Sequence, residues 1–504
     1  MSSLRKSALL LTVLALAVKL AGFFREAVLA REFGANETTD GYLLAFSLIT
    51  LMIAMLAAGF SNVFLPKYVK VRQENPETAE RMASAVLNLI TAAIVVLSFV
   101  AILFVDRLIP LLFGSMDPVT ETVAIQTTRI FLVFAVVIAI NAMLESYLQA
   151  RRIFAPVQVW KLLSTLMAAV FALLFSDVWG IYSLAYGFIF GAGLGLLVQA
   201  GALLKGGFRW QPVLKFDERS AFFIMLIPAL MNSVVGQVNL FVDRIFATNT
   251  IGGAVTYLNN GSLLISVPHA LYASTVAVIF FTLLSEQVKQ RKQFEETVQR
   301  GIMMTIVILM PVTFGLLAIG QDAISFIFER GAFTEEDTMR TYATLMFYSP
   351  IVVLQGIQYI LSKSLYAREQ TTLVLKISVT TILLNVVANW LFVQWLGYPG
   401  LALSSALVSG YFAAVSSWFV YKHLSGKSYW DFWKEFLSVL FPAGLMGLLV
   451  FAMRQLIPTF DALPSLVVIL ILAPVGAVIY ISLMMAFQRE KVTRVLSIIR
   501  RKSV

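Results

Sequence analysis

Apolar residues along this chain gather into long runs rather than alternating with polar ones, and the runs exceed what a soluble helix or strand needs. A bilayer core about 30 Å thick takes roughly 20 apolar residues of helix to cross. Runs of that length lie near residues 8–30, 41–65, 83–105, 128–149, 156–176, 180–204, 221–248, 255–285, 301–320, 342–365, 371–395, 399–421, 433–453 and 464–487. The pattern predicts an all-α polytopic membrane protein of about fourteen transmembrane helices. The long runs at 41–65 and 255–285 are expected to be tilted or bent, with Pro268 offering a kink in the second. The opening run continues past Lys19 to about Ala30 without a small-residue cleavage pattern, so it reads as a retained first helix and not as a signal peptide.

Composition agrees and removes whole classes of function. Hydrophobic residues make up 59% of the 504 and charged ones 13%, about half of what a soluble globule spends on charge. Mean hydropathy is +0.85. The absence of cysteine excludes disulfides, thiol catalysis and cysteine-bound metals. The two histidines, His269 and His423, are far apart in sequence, and no metal or other cofactor is expected. No phosphate-binding glycine loop with a lysine, no G-x-S-x-G and no long outward loop with paired acids is present, so an enzyme is not expected. The acidic stretch Glu335-Glu336-Asp337 reads as a solvated helix start.

The net charge of +10 first suggests a nucleic-acid partner, but its distribution points to a membrane surface. Basic residues crowd alternate connections: Lys67, Lys70, Arg72 and Arg81, then Arg151 and Arg152, then Lys205, Arg209, Lys215 and Arg219. The same alternation continues through Lys289, Arg291, Lys292 and Arg300, then Arg368, then Lys422, Lys427 and Lys434, and ends in a tail with Arg489, Lys491, Arg494, Arg500, Arg501 and Lys502. The other connections are short or acidic. The positive-inside rule then places both termini and all basic loops in the cytoplasm, beside anionic lipid headgroups, with no nucleic acid involved.

The chain also matches itself. At an offset of 219, Arg25 falls on Arg244, Gly34 on Gly253, Lys70 on Lys289, Arg72 on Arg291, Glu77 on Glu296 and Arg81 on Arg300. Farther along, at 217, Arg151 falls on Arg368 and Gly180 on Gly397. Charged residues and glycines are scarce here, so their coincidence carries weight. The expected division is a six-helix lobe at 1–215, a second at 216–425, and two further helices with a basic tail at 426–504. Six is an even number, so the two lobes are parallel repeats, expected to flank a central cleft and to rock in alternating access.

Charge within a membrane span is costly, by about 2.5–3.5 kcal/mol for a central residue, and so marks function or a partner. The first span carries Lys19, Arg25, Glu26 and Arg31, of which Lys19, Arg25 and Glu26 can share one broad face. The seventh carries Asp243 and Arg244. As repeat equivalents, Arg25 and Arg244 are expected on opposite walls of the cleft, where guanidinium forks suit a phosphate or carboxylate. Ion pairing within each lobe, or snorkelling to headgroups, is the structural alternative. Glu26 and Asp243 are assigned to holding the arginines, with carriage of a coupling proton as the other possibility. Asn385 and Asn389, one turn apart, are expected to bond between helices rather than to ligate sodium. His269 is expected to make a structural hydrogen bond.

The segment Lys19-Leu-Ala-Gly-Phe-Phe-Arg-Glu-Ala-Val-Leu-Ala-Arg-Glu-Phe-Gly-Ala, followed by Thr39-Asp40-Gly-Tyr, resembles the opening of the MurJ/MviN family of the MOP transporter superfamily. Val242-Asp-Arg-Ile-Phe-Ala, Phe328-Glu-Arg-Gly-Ala-Phe-Thr and Leu365-Tyr-Ala-Arg resemble its later landmarks, so the likeness spans nearly the whole chain. The resemblance implies a flippase for lipid II, the undecaprenyl-pyrophosphate-linked peptidoglycan precursor, in the bacterial cell membrane. It implies that Arg25, Glu26 and Arg244 engage the diphosphate and sugar headgroup, with Lys19, Asp243 and Asp40 counted beside them, and that the last two helices hold the polyprenyl tail. Three departures are visible. Glu26 replaces an aspartate, Lys19 stands where arginine is common, and no arginine occurs in Leu51–Leu56 or around Gly261–Leu264, where members carry them.

A flippase for a lipid-linked anionic glycan is therefore expected, acting as a monomer, with membrane lipids around it and a coupling ion or the membrane potential as its drive. The alternatives are a flippase for a teichoic-acid or exopolysaccharide unit, a MATE-like ion-coupled drug exporter, and a polytopic glycosyltransferase.

Overall fold

The computed structural model describes residues 2–217, 219–235, 237–273, 278–422, 424, 429–491 and 493; His423, Lys427, Arg494, Arg500, Arg501 and Lys502 lie outside the described residues. The described residues are mostly helical, with no strand among them. Each expected span falls on a helix or on a pair of helices. The first is α1 (Ser2–Phe33). The second is α2 (Glu37–Gly59), which runs through one π turn at Phe60–Phe64 into α3 (Leu65–Glu74). Then come α4 (Pro76–Phe113), the pair α5 (Pro118–Val133) and α6 (Ala135–Ala150), α7 (Ala155–Trp179) and α8 (Tyr182–Lys205). The α5–α6 pair is bent by 59°. The seventh and eighth spans are the pairs α9 (Arg219–Val235) with α10 (Val238–Ala247), and α11 (Ala254–Tyr272) with α12 (Val278–Gln287). The rest are α13 (Arg291–Phe328), α14 (Glu335–Tyr348) with α15 (Ile351–Ala367), α16 (Thr371–Leu396), α17 (Pro399–Lys422), α18 (Tyr429–Leu456) and α19 (Ser465–Phe487).

Local sequence sets where these helices begin. The Asn36 side chain accepts from the amides of Thr38 and Thr39 to start α2, and Asn75 accepts from Glu77 and Thr78 to start α4. Pro76 and Pro118 open α4 and α5, where a missing N–H costs nothing. Thr334 and Asp337 form a capping box at α14, so the acidic stretch Glu335-Glu336-Asp337 is the helix start that the sequence suggests.

The repeat is written into the backbone. Among described residues with positive φ, Gly34 and Gly253 lie 219 apart, while Gly114 and Gly331, Arg152 and Glu369, and Gly180 and Gly397 lie 217 apart. A left-handed residue in an L-chain is a specific turn geometry, so four matched pairs record one architecture used twice.

By packing, the chain forms two compact units, Met1–Thr256 with Arg330–Phe333, and Tyr257–Glu329 with Thr334–Val504. This division differs from the sequence repeat at 215, because α9 packs along α2 and α10 packs on α4. In the first unit α8 lies backbone-close to α7. A Cβ at Gly187, Gly191 or Gly195 would strike Met167, Leu163 or Trp160 in turn, an antiparallel register that small residues allow. Phe188 meets Phe46 and Phe131 edge to face, Phe46 and Phe131 lie tilted to each other, and a second core runs through Phe60, Phe64, Tyr68, Met143 and Tyr147. In the second unit α13 packs against α15, α18 and α19, and α16 packs on α17. The Tyr480 hydroxyl donates to the Val307 carbonyl (2.9 Å), and Arg454 of α18 grips Asp322 of α13 (3.0 Å) and Asp461 (2.7 Å).

Candidate functional site

Helix α2 is the platform to which the two arginines singled out by the sequence both attach. Arg25, from α1, lays its guanidinium over the ring of Phe46, 4.3 Å from the ring centre. Its Nη2 donates to the carboxylate of Glu26, which is buried. Its Nε is buried and has no hydrogen-bond partner among the described residues. The Phe46 ring is itself stacked on that of Tyr42, one turn earlier (5.7 Å, 14° between planes). Arg244, from α10, donates from Nη1 to the carbonyl oxygen of Leu43 (2.7 Å). Leu43 and Phe46 are three residues apart, so both guanidinium groups attach to a single turn of α2.

The repeat predicts these arginines on opposite walls of a cleft. Instead both attach to α2 within the first unit, because the packing of α9 on α2 and of α10 on α4 carries Arg244 there. Stacking of Phe113 on Phe241 (5.9 Å) and the bond from Thr248 Oγ1 to the Phe113 carbonyl (3.3 Å) fix the position of α10.

The other residues named from the sequence fall into separate places. Asp243 is buried on α10, beside Arg244. Lys19 is exposed on α1, about two turns before Arg25. Asp40 is buried and serves the next repeat. It accepts from the Thr256 amide (2.8 Å), the Thr256 hydroxyl (2.6 Å) and the Val255 amide (3.3 Å), the first-turn donors of α11. Asn385 and Asn389 are buried on one face of α16, their side chains 3.5 Å apart.

Two features are not visible in the sequence pattern. One is the aromatic support: Tyr42 and Phe46 look like any apolar pair in a span, and only the place of Phe46 under Arg25, with Tyr42 stacked on it, distinguishes them. The other is a network at the end of α6. Glu80 accepts from Arg151 (2.9 Å), Tyr68 (2.7 Å) and Tyr147 (2.7 Å), and Arg151 also donates to the Gly206 carbonyl. Arg151 reads in sequence as one more loop charge.

In the second unit α13, α18 and α19 border an apolar groove of about 450 Å³, walled by Pro311, Gly315, Met446, Val450, Leu472 and Tyr480 among others. Its wall offers an alkyl or isoprenoid chain contact without polar groups to desolvate.

Comparison with known proteins follows the same direction. The family model described as "Lipid II flippase MurJ" matches residues 29–472. The chain is 23% identical over 438 residues to the "Probable lipid II flippase MurJ" of Buchnera aphidicola subsp. Acyrthosiphon pisum, covering 85% of this chain and 84% of that one. It is 25% identical over 443 residues to the protein of the same description from Thermotoga maritima, covering 86% and 88%. A solved structure of lipid II flippase MurJ in an inward closed conformation superposes with a TM-score of 0.82 at 22% identity, covering 96% of this chain and 100% of that one. An inward-facing multidrug MATE transporter of the MOP superfamily gives 0.64 at 14% identity, covering 81% and 94%.

Proposed function

This chain belongs to the lipid II flippase MurJ family, and on that premise we propose that it carries lipid II from the cytoplasmic to the outer leaflet of a bacterial cell membrane by alternating access. The observation that carries the proposal is the attachment of both Arg25 and Arg244 to one turn of α2. A diphosphate is a compact dianion or trianion with oxygens spaced to accept paired N–H donors, and guanidinium groups meet it with directed, charge-assisted bonds. Phe46 and Glu26 hold the Arg25 plane in place, and the buried Nε is a donor that a substrate oxygen satisfies. Asp243 keeps Arg244 company on α10 in the same holding role.

The polyprenyl tail is assigned to the apolar groove of α13, α18 and α19, so that the tail stays in lipid while the headgroup moves. Positive-inside charge supports cytoplasmic termini and basic loops. The membrane potential supplies about 2.3 kcal/mol per charge moved through 100 mV, enough to bias an anionic headgroup outward. A monomer suffices for this cycle. Family membership favours transport over catalysis, and the drug-exporter reading is not favoured, because the MATE likeness is one of fold and fold alone does not choose a substrate.

The test is transport of lipid II in proteoliposomes by wild-type protein and by Arg25→Ala. Loss of transport with retained folding supports the assignment; normal transport by the folded variant removes Arg25 from the site.

A further inference from the structure

The π turn at Phe60–Phe64, where α2 runs into α3, borders a cavity of about 540 Å³ in the first unit. Single π turns inside α-helices recur at functional sites, and the volume is that of a small-molecule pocket. Asn62 and Val63 of the turn line the cavity, with Lys67, Lys70 and Glu74 of α3. These last three are spaced three and four residues apart, so they share one face of α3. Another wall is formed by Phe216 and Asp217, from the segment before α9.

That segment is tied to α4. Asn88 donates from Nδ2 to the carbonyls of Gln211 and Val213 (both 2.9 Å) and accepts from Trp210 Nε1 (2.8 Å). The Phe216 ring meets the buried Phe222 ring edge to face (5.6 Å). The cavity is therefore formed before any ligand arrives.

Two lysines and two carboxylates face the space, so their charges cancel. Lys70 and Glu74, four residues apart, are placed to pair with each other. Yet the side chains of Lys70, Glu74 and Asp217 make no hydrogen bond or ion pair among the described residues. An anion alone would leave Glu74 and Asp217 unmatched, and a cation alone would leave the lysines unmatched. A ligand that carries both signs on a short spacer satisfies the set. Part of the lining is apolar, through Val63, Met82 and Met225. Met225 is 61% exposed and its neighbour Ile224 70%, which puts open apolar surface beside the cavity. Such a surface suits acyl chains and favours a lipid over a soluble molecule.

We propose that this cavity binds the headgroup of a zwitterionic phospholipid whose amine is primary. Lys70, with Lys67 on the same face, takes the phosphodiester, and Glu74 and Asp217 take the ammonium. Val63, Met82 and Met225 cover the glycerol and the first acyl carbons. The bound lipid ties α3 to the segment before α9. The site uses neither Arg25 nor Arg244, so its failure leaves the lipid II reading untouched.

The experiment is native mass spectrometry of the full-length protein in detergent, titrated with phosphatidylethanolamine, phosphatidylglycerol and phosphatidylcholine. The proteins compared are wild type, Lys70→Ala and the double variant Glu74→Gln/Asp217→Asn. Wild type is expected to bind phosphatidylethanolamine about fivefold more tightly than the other two, the upper effect of one partly exposed ion pair. Phosphatidylglycerol lacks the ammonium, and the quaternary ammonium of phosphatidylcholine has no N–H to donate. Lys70→Ala is expected to weaken phosphatidylethanolamine binding by a similar factor. The double variant is expected to lose the preference while binding phosphatidylglycerol no more weakly than before, a change of selectivity that a folding defect does not produce. Lys70, Glu74 and Asp217 are exposed, so these substitutions remove no core contact. Phosphatidylglycerol or phosphatidylcholine bound as tightly as phosphatidylethanolamine by wild type, or a preference that survives in the double variant, overturns the proposal. Displacement of phosphatidylethanolamine by an equal concentration of free phosphoethanolamine overturns the lipid assignment, in favour of a soluble ligand.

Discussion

The guanidinium of Arg25 lies 4.3 Å above the ring of Phe46, one turn of α2 from the Leu43 carbonyl that Arg244 engages. A cation over an aromatic face is held by the ring quadrupole, at about 0.5–2 kcal/mol depending on desolvation, and keeps its N–H edges free for another partner. That geometry makes Phe46 the support and Arg25 the hand.

Arg25→Lys retains charge but loses the planar fork and most of the stacking. Lipid II affinity is expected to fall about tenfold, equal to about 1.4 kcal/mol, with Arg25→Ala falling further because charge-assisted hydrogen bonds contribute about 1.5–3 kcal/mol. Phe46→Leu is expected to weaken binding several-fold without removing the arginine. Titration of purified protein with lipid II reads all three, and an Arg25→Lys variant that binds as tightly as wild type would contradict a directed role for the fork.

Asp40 is predicted to act on stability before binding. It caps the first turn of α11 through Val255 and Thr256, so Asp40→Ala leaves those donors without their acceptor. The expected cost is about 1–3 kcal/mol, with Asp40→Asn retaining part of the capping. Thermal unfolding in detergent measures the loss. A stable Asp40→Ala protein that no longer binds lipid II would assign Asp40 to the substrate instead.

Gly114 and Gly331 are repeat equivalents with positive φ (78° and 61°) but different surroundings. A Cβ at Gly114 meets open space, while one at Gly331 would strike the Arg31 carbonyl oxygen. Gly114→Ala should therefore cost only the backbone conformation (φ 78°, ψ −156°), one that residues other than glycine rarely adopt, about 1–3 kcal/mol. Gly331→Ala should cost clearly more, because backbone must move. Equal melting shifts for the two variants would show that the Arg31 contact carries no energy.

The Glu80 network predicts a third stability result. Removing Arg151 leaves a largely buried carboxylate facing two phenols, and breaking such a pair costs about 3–5 kcal/mol when fully buried. With side chains 15% and 17% exposed, Arg151→Met should fall toward the lower end of that range or somewhat below. Glu80→Gln, which keeps a hydrogen-bonding oxygen for Tyr68 and Tyr147, should cost less. The order of the two melting shifts is the check.

Much of this fold is legible in sequence because the membrane restricts the choices to apolar helices long enough to cross. The polytopic helical architecture followed from run length alone, and the repeat from scarce residues such as Arg25 with Arg244 and Gly180 with Gly397, the glycines matching in backbone conformation as well. Arg25 and Glu26 stood out as charge within a span, and they are in contact. Less legible was what depends on helix rotation and tilt. Periodicity in a uniformly apolar span does not show which face carries Phe46 or Tyr42, and it did not show that α10 would bring Arg244 to α2. Asp40 read as a landmark of the opening segment, whereas its work as a cap depends on Val255 and Thr256, more than two hundred residues away. Glu145 and Lys161 were available to the same reasoning as Arg25, since each is an ionisable residue inside a predicted span, and only their adjacency required coordinates.

Substrate identity is tested best by direct binding. Purified protein is titrated with lipid II, with a polyprenyl-linked teichoic-acid unit and with a cationic dye, on wild type and Arg25→Ala. Saturable binding of lipid II in preference to both comparators, weakened more than in Arg25→Lys when the side chain is cut to alanine, is the expected result. Equal or tighter binding of the other glycan would contradict the lipid II assignment while leaving a flippase, and binding of the dye alone would contradict the flippase itself.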